Sequence, residues 1–327
     1  MEFKKLKILH VIPFHPSPSS FIFAKRQVED LVELGLENHV FYFNTSMSVS
    51  GFFKQLKEFK KVVTDFHPDI IHAHYGSITA FFASSVKNIP FVVSFQGSDI
   101  NFTNDVHWIR EKLGKQLSKI AAQRARHIIC VSERIQSNLK TGKEKSTIIP
   151  SGINTRIFKK LDRNECKRHL NLSLNTHYLF FNSNNPVVKR LDIAQEVQNL
   201  LAGYSVQLLS LNGSVEPNEI PIYLNACVAT ILCSDSEGSP MVIKEAMACG
   251  LPIVSVDVGD VKERIDGVNN CFIVAQSADA IASKVKYLIE NAISETNGLE
   301  ILKLQGLDNR SIVRKVEEIY NDAIIEK

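Results

Sequence analysis

Residues 228–267, VATILCSDSEGSPMVIKEAMACGLPIVSVDVGDVKERIDG, leave few folds open to this chain. An apolar run over 228–233 is short enough for a buried parallel strand. A polar loop, 234–238, follows. Ser239 has the chemistry of an N-cap and Pro240 suits a first helical position, so 241–249 is expected to be a helix. Gly250 is placed to close it in a left-handed conformation, with Pro252 two residues on. Residues 251–256 form a second apolar run, and a turn at Asp257, Gly259 and Asp260 leads to another short helix that Gly267 ends. Strand, loop, helix, strand is one unit of an open parallel α/β sheet.

Two carboxylates flank the expected helix start. Glu237 lies in the loop, and Glu245 about a turn and a half inside, on the stripe of Met241 and Ala248. At about 1.5 Å per residue they stand on the order of 10 Å apart. Between them the helix N-terminus offers the N–H groups of Gly238, Ser239 and Met241 and a partial positive charge, an arrangement that prefers a phosphate. Carboxylates on both sides of a phosphate site suit hydroxyls at both ends of the ligand. A nucleotide sugar has that layout.

Glu237-Gly-Ser-Pro followed by Glu245-Ala-Met-Ala-Cys-Gly-Leu-Pro-Ile-Val resembles the Glu-x7-Glu signature of retaining glycosyltransferases of family 4, and Val258-Gly-Asp-Val with Glu263 and Gly267 continues the likeness. The resemblance implies a GT-B fold: two Rossmann-like α/β/α domains facing across a cleft, with a C-terminal helix crossing back to the first. By the family pattern Glu237 contacts the sugar and Glu245 holds the ribose hydroxyls. No metal or other cofactor is required, and the nucleoside-diphosphate sugar is the co-substrate.

Length and charge agree with two domains. The 327 residues are 44% hydrophobic and 22% charged, ordinary for a globular protein. No apolar run approaches the roughly 20 residues that span a bilayer, and the N-terminal MEFKKLKILHVIPF reads as a first strand rather than a signal sequence. A cytoplasmic protein is expected. The six cysteines form no Cys-x-x-Cys pair and sit mostly in apolar runs, as buried free thiols do. Residues 1–150 carry 20 Lys+Arg against 13 Asp+Glu, a net +7, whereas 151–327 carry 18 against 22, a net −4. The basic half suits an anionic partner; no nucleic acid is expected.

In the first half, strands are expected over 7–13, 39–43, 68–74, 91–95 and 127–131, and helices over 24–34, 49–66, 108–126 and 132–141. The 49–66 helix has an apolar stripe that includes Phe52, Phe59 and Phe66, with Lys54, Lys57, Lys60 and Lys61 around the rest; a core helix with a solvated basic face and a helix leaning on an anionic membrane are both open. His72 and His74 share a strand face. No third metal ligand is evident near them. In family terms this strand resembles the Asp-Ile-Ile-His-x-His strand whose end faces the cleft, which makes His74 a substrate-binding candidate. Gln96, Gly97 and Asp99 stand where relatives carry His-Gly-x-Asp near the sugar; an amide at 96 can bond a hydroxyl but cannot exchange a proton. Residues 17–20 stand where relatives carry a Gly-Gly pair near the donor phosphates.

Ile148-Ile-Pro-Ser-Gly-Ile-Asn154 resembles the family's interdomain segment, which divides the chain into 1–153 on the acceptor side, 154–308 binding the nucleotide sugar, and a crossover helix over 309–327. In the second half the loop 182–190 joins a strand, 178–182, to a helix, 191–201, and carries cations, as a phosphate site does. Lys189 matches the diphosphate-binding Lys of relatives. Their Arg falls on Asn184, and Arg190 is the candidate to replace it. The segment 214–221 is shorter than in relatives. Asp235-Ser-Glu237 superficially resembles an Asp-x-Asp metal motif, but its frame argues against one.

The expected function is retaining transfer of a hexose from a nucleoside diphosphate to an acceptor hydroxyl, on a glycan or lipid-linked acceptor in cell-surface polysaccharide or glycolipid synthesis, at the inner face of the plasma membrane. Two rivals stay open: a GT-B nucleotide-sugar epimerase, and a non-catalytic glycosyltransferase-like subunit supporting a partner.

Overall fold

The structure, a computed structural model, describes residues 5–17, 20–97, 99–100 and 108–325, without the side chains of 108–110. Part of the 17–20 loop (Pro18, Ser19), Ser98 of the segment 96–99, and Asp105 beside the basic helix lie outside the described residues.

The chain divides into two compact units, one of residues up to 16, 21–152 and 309 onward, the other of 153–308 with the short 17–20 stretch. The first unit runs β1 (Lys7–Pro13), α1 (Ile22–Glu33), β2 (Glu37–Phe43), α2 (Val49–Phe66), β3 (Ile70–Ala73), α3 (Ser77–Ala83), β4 (Phe91–Phe95), α4 (Trp108–Arg124), β5 (His127–Cys130), α5 (Glu133–Ser137) and β6 (Ser146–Ile148). Its strands pair in parallel in the order β2-β1-β3-β4-β5-β6, so the order reverses at β1. Strands β3 and β4 are buried throughout, in keeping with sequences, IIHA and FVVSF, that are apolar except for His72 and Ser94. Phe43, Phe59 and Phe82 fill one side of the sheet, with Phe43 and Phe82 stacked at 4.2 Å between ring centroids. Burying each such ring contributes about 2–3 kcal/mol.

The second unit runs α6 (Arg163–His169), β7 (His177–Asn182), α7 (Leu191–Leu200), β8 (Val206–Leu211), α8 (Ile220–Ala226), β9 (Ala229–Leu232), α9 (Met241–Ala248), β10 (Ile253–Val256), α10 (Val261–Ile265), β11 (Cys271–Val274), α11 (Ala278–Glu290) and α12 (Gly298–Leu304). Its parallel sheet has the order β11-β10-β9-β7-β8, which reverses at β7. Leu179, Phe181, Val197, Ile231 and Val254 form its core with α11. The last helix, α13 (Asn309–Ile325), belongs to the first unit. There Tyr320, fully buried, meets His72 Nδ1 at 2.7 Å, and Asn309 Nδ2 donates to Asp30 Oδ1 at 2.6 Å. Both units are Rossmann-like. All six cysteines are free thiols, five of them buried.

Among the described residues no helix is long and apolar enough to cross a membrane. Helix α2 turns its stripe inward: Phe59 is buried and Phe52, Leu56, Val63 and Phe66 pack on the core, while Lys54, Lys57, Lys60 and Lys61 are exposed. The stripe is therefore a core face.

Candidate functional site

In an open parallel sheet a ligand sits at the carboxyl ends of the strands, where the strand order reverses. In the second unit that place lies between β7 and β9. The loops leaving these strands, 183–190 and 233–240, are tied by a backbone bond from Asp235 N to Val188 O at 2.9 Å. Across this tie Lys189 Nζ donates to Glu237 Oε1 at 2.5 Å, and Ser234 Oγ donates to the same oxygen at 2.7 Å. Lys189 and Glu237 are only 16% and 12% exposed, so their attraction is less screened than that of a surface pair. Gly259, with φ +63°, lies under this loop; a Cβ there would come within 2.9 Å of Gly238 O and 3.1 Å of Glu237 Cβ. The glycine lets the turn after β10 pack against Glu237.

Helix α9 begins at Met241 with Pro240 as its cap residue, and no side chain caps it. This corrects the expectation for Ser239. Its hydroxyl donates to Asp260 Oδ2 at 2.7 Å and accepts from Lys244 Nζ at 3.1 Å, so it is spent on tertiary partners. The uncapped first turn keeps the N–H groups around Gly238, Ser239 and Met241 without a local side-chain acceptor, as an anion site requires. Glu245, 8% exposed, is not a surface residue.

Beside it Lys244 is fully buried, a position the sequence reading passed over. Burial pulls its amine down to about 8, opposed by the nearby Asp260 carboxylate. Asp260 also accepts from Arg264 Nε at 2.9 Å. In MVIKEAMA, Lys244 and Glu245 are the charged residues among apolar and small ones, and that Lys244 shares this buried stretch was the available signal.

Arg190 occupies a left-handed conformation, φ +58°, at the start of α7 and pairs with Asp192 and Asp235. These carboxylates, Asp192 first, raise its pKa further above its ordinary value. Its charge is thus balanced locally. Asn184 is exposed, and its backbone N–H donates to Asn182 Oδ1. Asp235 turns to Arg190 and to Gln276 Nε2, whereas Glu237 turns to Lys189, so the two carboxylates of Asp235-Ser-Glu237 serve different partners.

In the first unit Asp99 is buried, and its carboxylate accepts from the backbone N–H groups of Gly76, Gln96 and Gly97 at 2.8–3.2 Å. Burial outweighs these bonds and raises its pKa. Asp99 shapes the loops that carry Gln96 and Gly97. His74 is 1% exposed, with Nε2 2.8 Å from His10 Nδ1.

The absence of a third imidazole near His72 and His74 was a misreading. The β1–β3 register sets His10 opposite His72, and the ligand atoms of His10, His72 and His74 all lie within 4.8 Å of one another. Asn38 donates to Leu36 O, so its Oδ1 accepts from His10 Nε2; His10 Nδ1 then accepts from His74. His72 bridges Tyr320 and Ser94. Burial holds all three imidazoles well below their usual range, and hence neutral. These bonds tie β1, β2, β3 and β4 to one another and, through Tyr320, to α13.

Residues 10–157 match the family model described as Glycosyltransferase Family 4, and residues 187–291 the one described as Glycosyl transferases group 1. The chain is 27% identical over 244 residues to TuaC of Bacillus subtilis, named for teichuronic acid biosynthesis as a glycosyltransferase; the match covers 68% of this chain and 61% of that protein. Among solved structures, sucrose-phosphate synthase from Thermosynechococcus elongatus superposes with a TM-score of 0.77 at 15% identity, over 98% of this chain and 100% of its own. Anabaena HepE in complex with UDP-glucose superposes with a TM-score of 0.72 at 17% identity, over 97% and 99%. Over both halves the chain is thus similar to glycosyltransferases of family 4, and it has the GT-B fold.

Proposed function

We propose that this protein transfers a hexose from a nucleoside-diphosphate sugar to an acceptor hydroxyl with retention of anomeric configuration. The observation that carries the reading is the Lys189–Glu237 pair at the reversal point of the second sheet, beside the uncapped start of α9. A diphosphate there meets Lys189 and the free amides, and Glu237 is left to accept from a sugar hydroxyl. Glu245 takes the ribose hydroxyls. In the transfer the bond from the anomeric carbon to the leaving phosphate oxygen breaks and the bond to the acceptor oxygen forms on the same face. The acceptor proton passes to the departing phosphate. Lys189 and the helix amides carry the leaving charge, without a metal.

The HepE complex with UDP-glucose supports UDP-linked sugars as the first donors to test. TuaC, named for teichuronic acid biosynthesis, supports a role in building a glycan; our reading assigns that role to cell-surface polysaccharide synthesis at the cytoplasmic face of the membrane. In this reading the second unit binds the donor and the first the acceptor. The test is release of nucleoside diphosphate by the purified full chain from a panel of nucleotide sugars, with and without acceptors. Release from one donor, lost in Lys189→Ala, is the expected result. Failure of every donor to bind or turn over would overturn the reading in favour of a non-catalytic subunit. Interconversion of nucleotide sugars without acceptor would favour an epimerase.

A further inference from the structure

A cavity of about 380 Å3 opens in the first unit at the carboxyl ends of β1, β2 and β3, where Pro13, Thr45 and Tyr75 line it. The order of that sheet reverses at β1, so this is its own reversal point, where open parallel sheets hold ligands. The size lies within the range of small-molecule sites, about 300–1,000 Å3.

The walls are apolar. Phe14, Phe21, Tyr75, Ile78, Leu113 and Leu117 supply most of them. Phe14 and Leu113 stay 52% and 58% exposed, an unfavourable state for large apolar side chains without a ligand. The polar side chains are few: His15, Thr45, Ser77 and Thr79.

Three features mark the cavity as built. Phe21 and Ser77, both lining it, are held at φ +53° and +57°, a region that side-chain-bearing residues enter only under constraint. The constraint on Ser77 is visible: its N–H donates to the buried Ser118 Oγ at 2.7 Å, and that of Gly76 to Asp99 at 2.8 Å. Gly114 opens the wall, since a Cβ there would stand 2.9 Å from Ser77 Oγ. Thr79, 1% exposed, also lines the cavity, and its hydroxyl has no partner among the described residues. Buried hydroxyls are normally paired; this oxygen is walled off from the cavity, so a ligand hydroxyl would complete it only with the Thr79 side chain turned toward the opening.

A bare sugar brings a hydroxyl at nearly every carbon, and most would be desolvated here without partners. We propose that this cavity receives the acceptor and selects one with an apolar body next to its hydroxyl-bearing end, the hydroxyl side meeting Thr45 and Ser77 and the body packing on Phe14, Phe21, Leu113 and Leu117. This rests on the transferase reading above and names the acceptor class for it. The body could be an alkyl chain or an aryl ring.

The test is calorimetric titration of the full chain, with UDP present, by octyl glucoside, 4-nitrophenyl glucoside and glucose. At least one of the first two is expected to bind tenfold or more tightly than glucose, and the tighter one tells alkyl from aryl. Leu113→Glu and Phe14→Ser, both at exposed positions, should each weaken that binding tenfold or more, with melting curves reporting that the variants are folded. Glucose binding as tightly as both probes, or unchanged affinity in both folded variants, would overturn the proposal. Failure of the transferase reading shows separately, as no donor turnover; the titrations decide the cavity either way.

Discussion

Lys189 Nζ and Glu237 Oε1 share a 2.5 Å hydrogen bond between loops that leave neighbouring strands of the second sheet. Each charge neutralises the other in the free protein. In the proposed transfer a diphosphate would compete with Glu237 for Lys189, leaving the carboxylate to accept from a sugar hydroxyl. The lysine charge would then stand where negative charge grows as the diphosphate leaves.

Lys189→Ala is accordingly expected to lower kcat on the order of 10²-fold, with a smaller effect on donor affinity, because the interaction strengthens in the transition state. Single-turnover rates and nucleotide titrations separate the two quantities. Equal turnover in variant and parent would remove Lys189 from the role and turn attention to Arg190.

Glu245→Ala should weaken binding of a nucleoside diphosphate and leave the fold intact. A hydrogen bond to a charged acceptor is worth about 1.5–3 kcal/mol, and two ribose hydroxyls are available. Calorimetry with uridine diphosphate measures the loss. Unchanged affinity would exclude the ribose role, and because Glu245 is buried, the melting midpoint of the variant has to be followed alongside.

Much of this was legible in the sequence for local reasons. Residues 228–233 and 251–256 have strand lengths and apolar runs that only a doubly covered sheet requires, and β9 and β10 fall inside them. The cap at Ser239 was misread because its hydroxyl goes to Asp260 and Lys244, and a tertiary partner competes with a local one without any trace in spacing. His10 was missed because only strand register brings it beside His72. Helix α3 was missed too: SITAFFA has no capping side chain and opens at a left-handed Ser77, a conformation that the sequence disfavours.

The histidine cluster predicts how stability depends on pH. Burial pulls His10 down to about 4, against the raising effect of the Asn38 bond, and holds His72 and His74 well below 6.5. Between pH 6.5 and about 4 the unfolded chain binds protons at these sites and the folded chain does not. The stability these neutral imidazoles contribute is therefore fully present only above the unfolded value of about 6.5 and falls as pH drops, for His10 by up to about 1.4 kcal/mol per pH unit. Asp30, raised to about 6, and Asp99, also raised, oppose the slope, since the folded state binds their protons more readily. Denaturant titrations across this range should show a shallower dependence in His10→Gln, by about one proton. Equal slopes in variant and parent would mean that His10 does not titrate as its burial requires.

The last prediction concerns the surface of the first unit. With the apolar stripe of α2 turned inward, Lys54, Lys57, Lys60 and Lys61 stand outside beside Phe53, which is 63% exposed. A membrane contact made here is electrostatic, helped by one aromatic ring, and does not use the stripe. Each lysine near an anionic leaflet contributes about 1 kcal/mol, so four hold the protein reversibly and in a salt-sensitive manner. Such a contact would bring the first unit to a lipid-linked acceptor without a spanning helix. In sedimentation the parent should pellet with anionic but not with neutral vesicles, and leave them at high salt. Replacing all four lysines by Gln should abolish pelleting without lowering the melting midpoint, because none of the four is buried. If the fourfold variant partitions as the parent does, α2 is only a core helix with a solvated basic face, and the acceptor reaches the protein from solution.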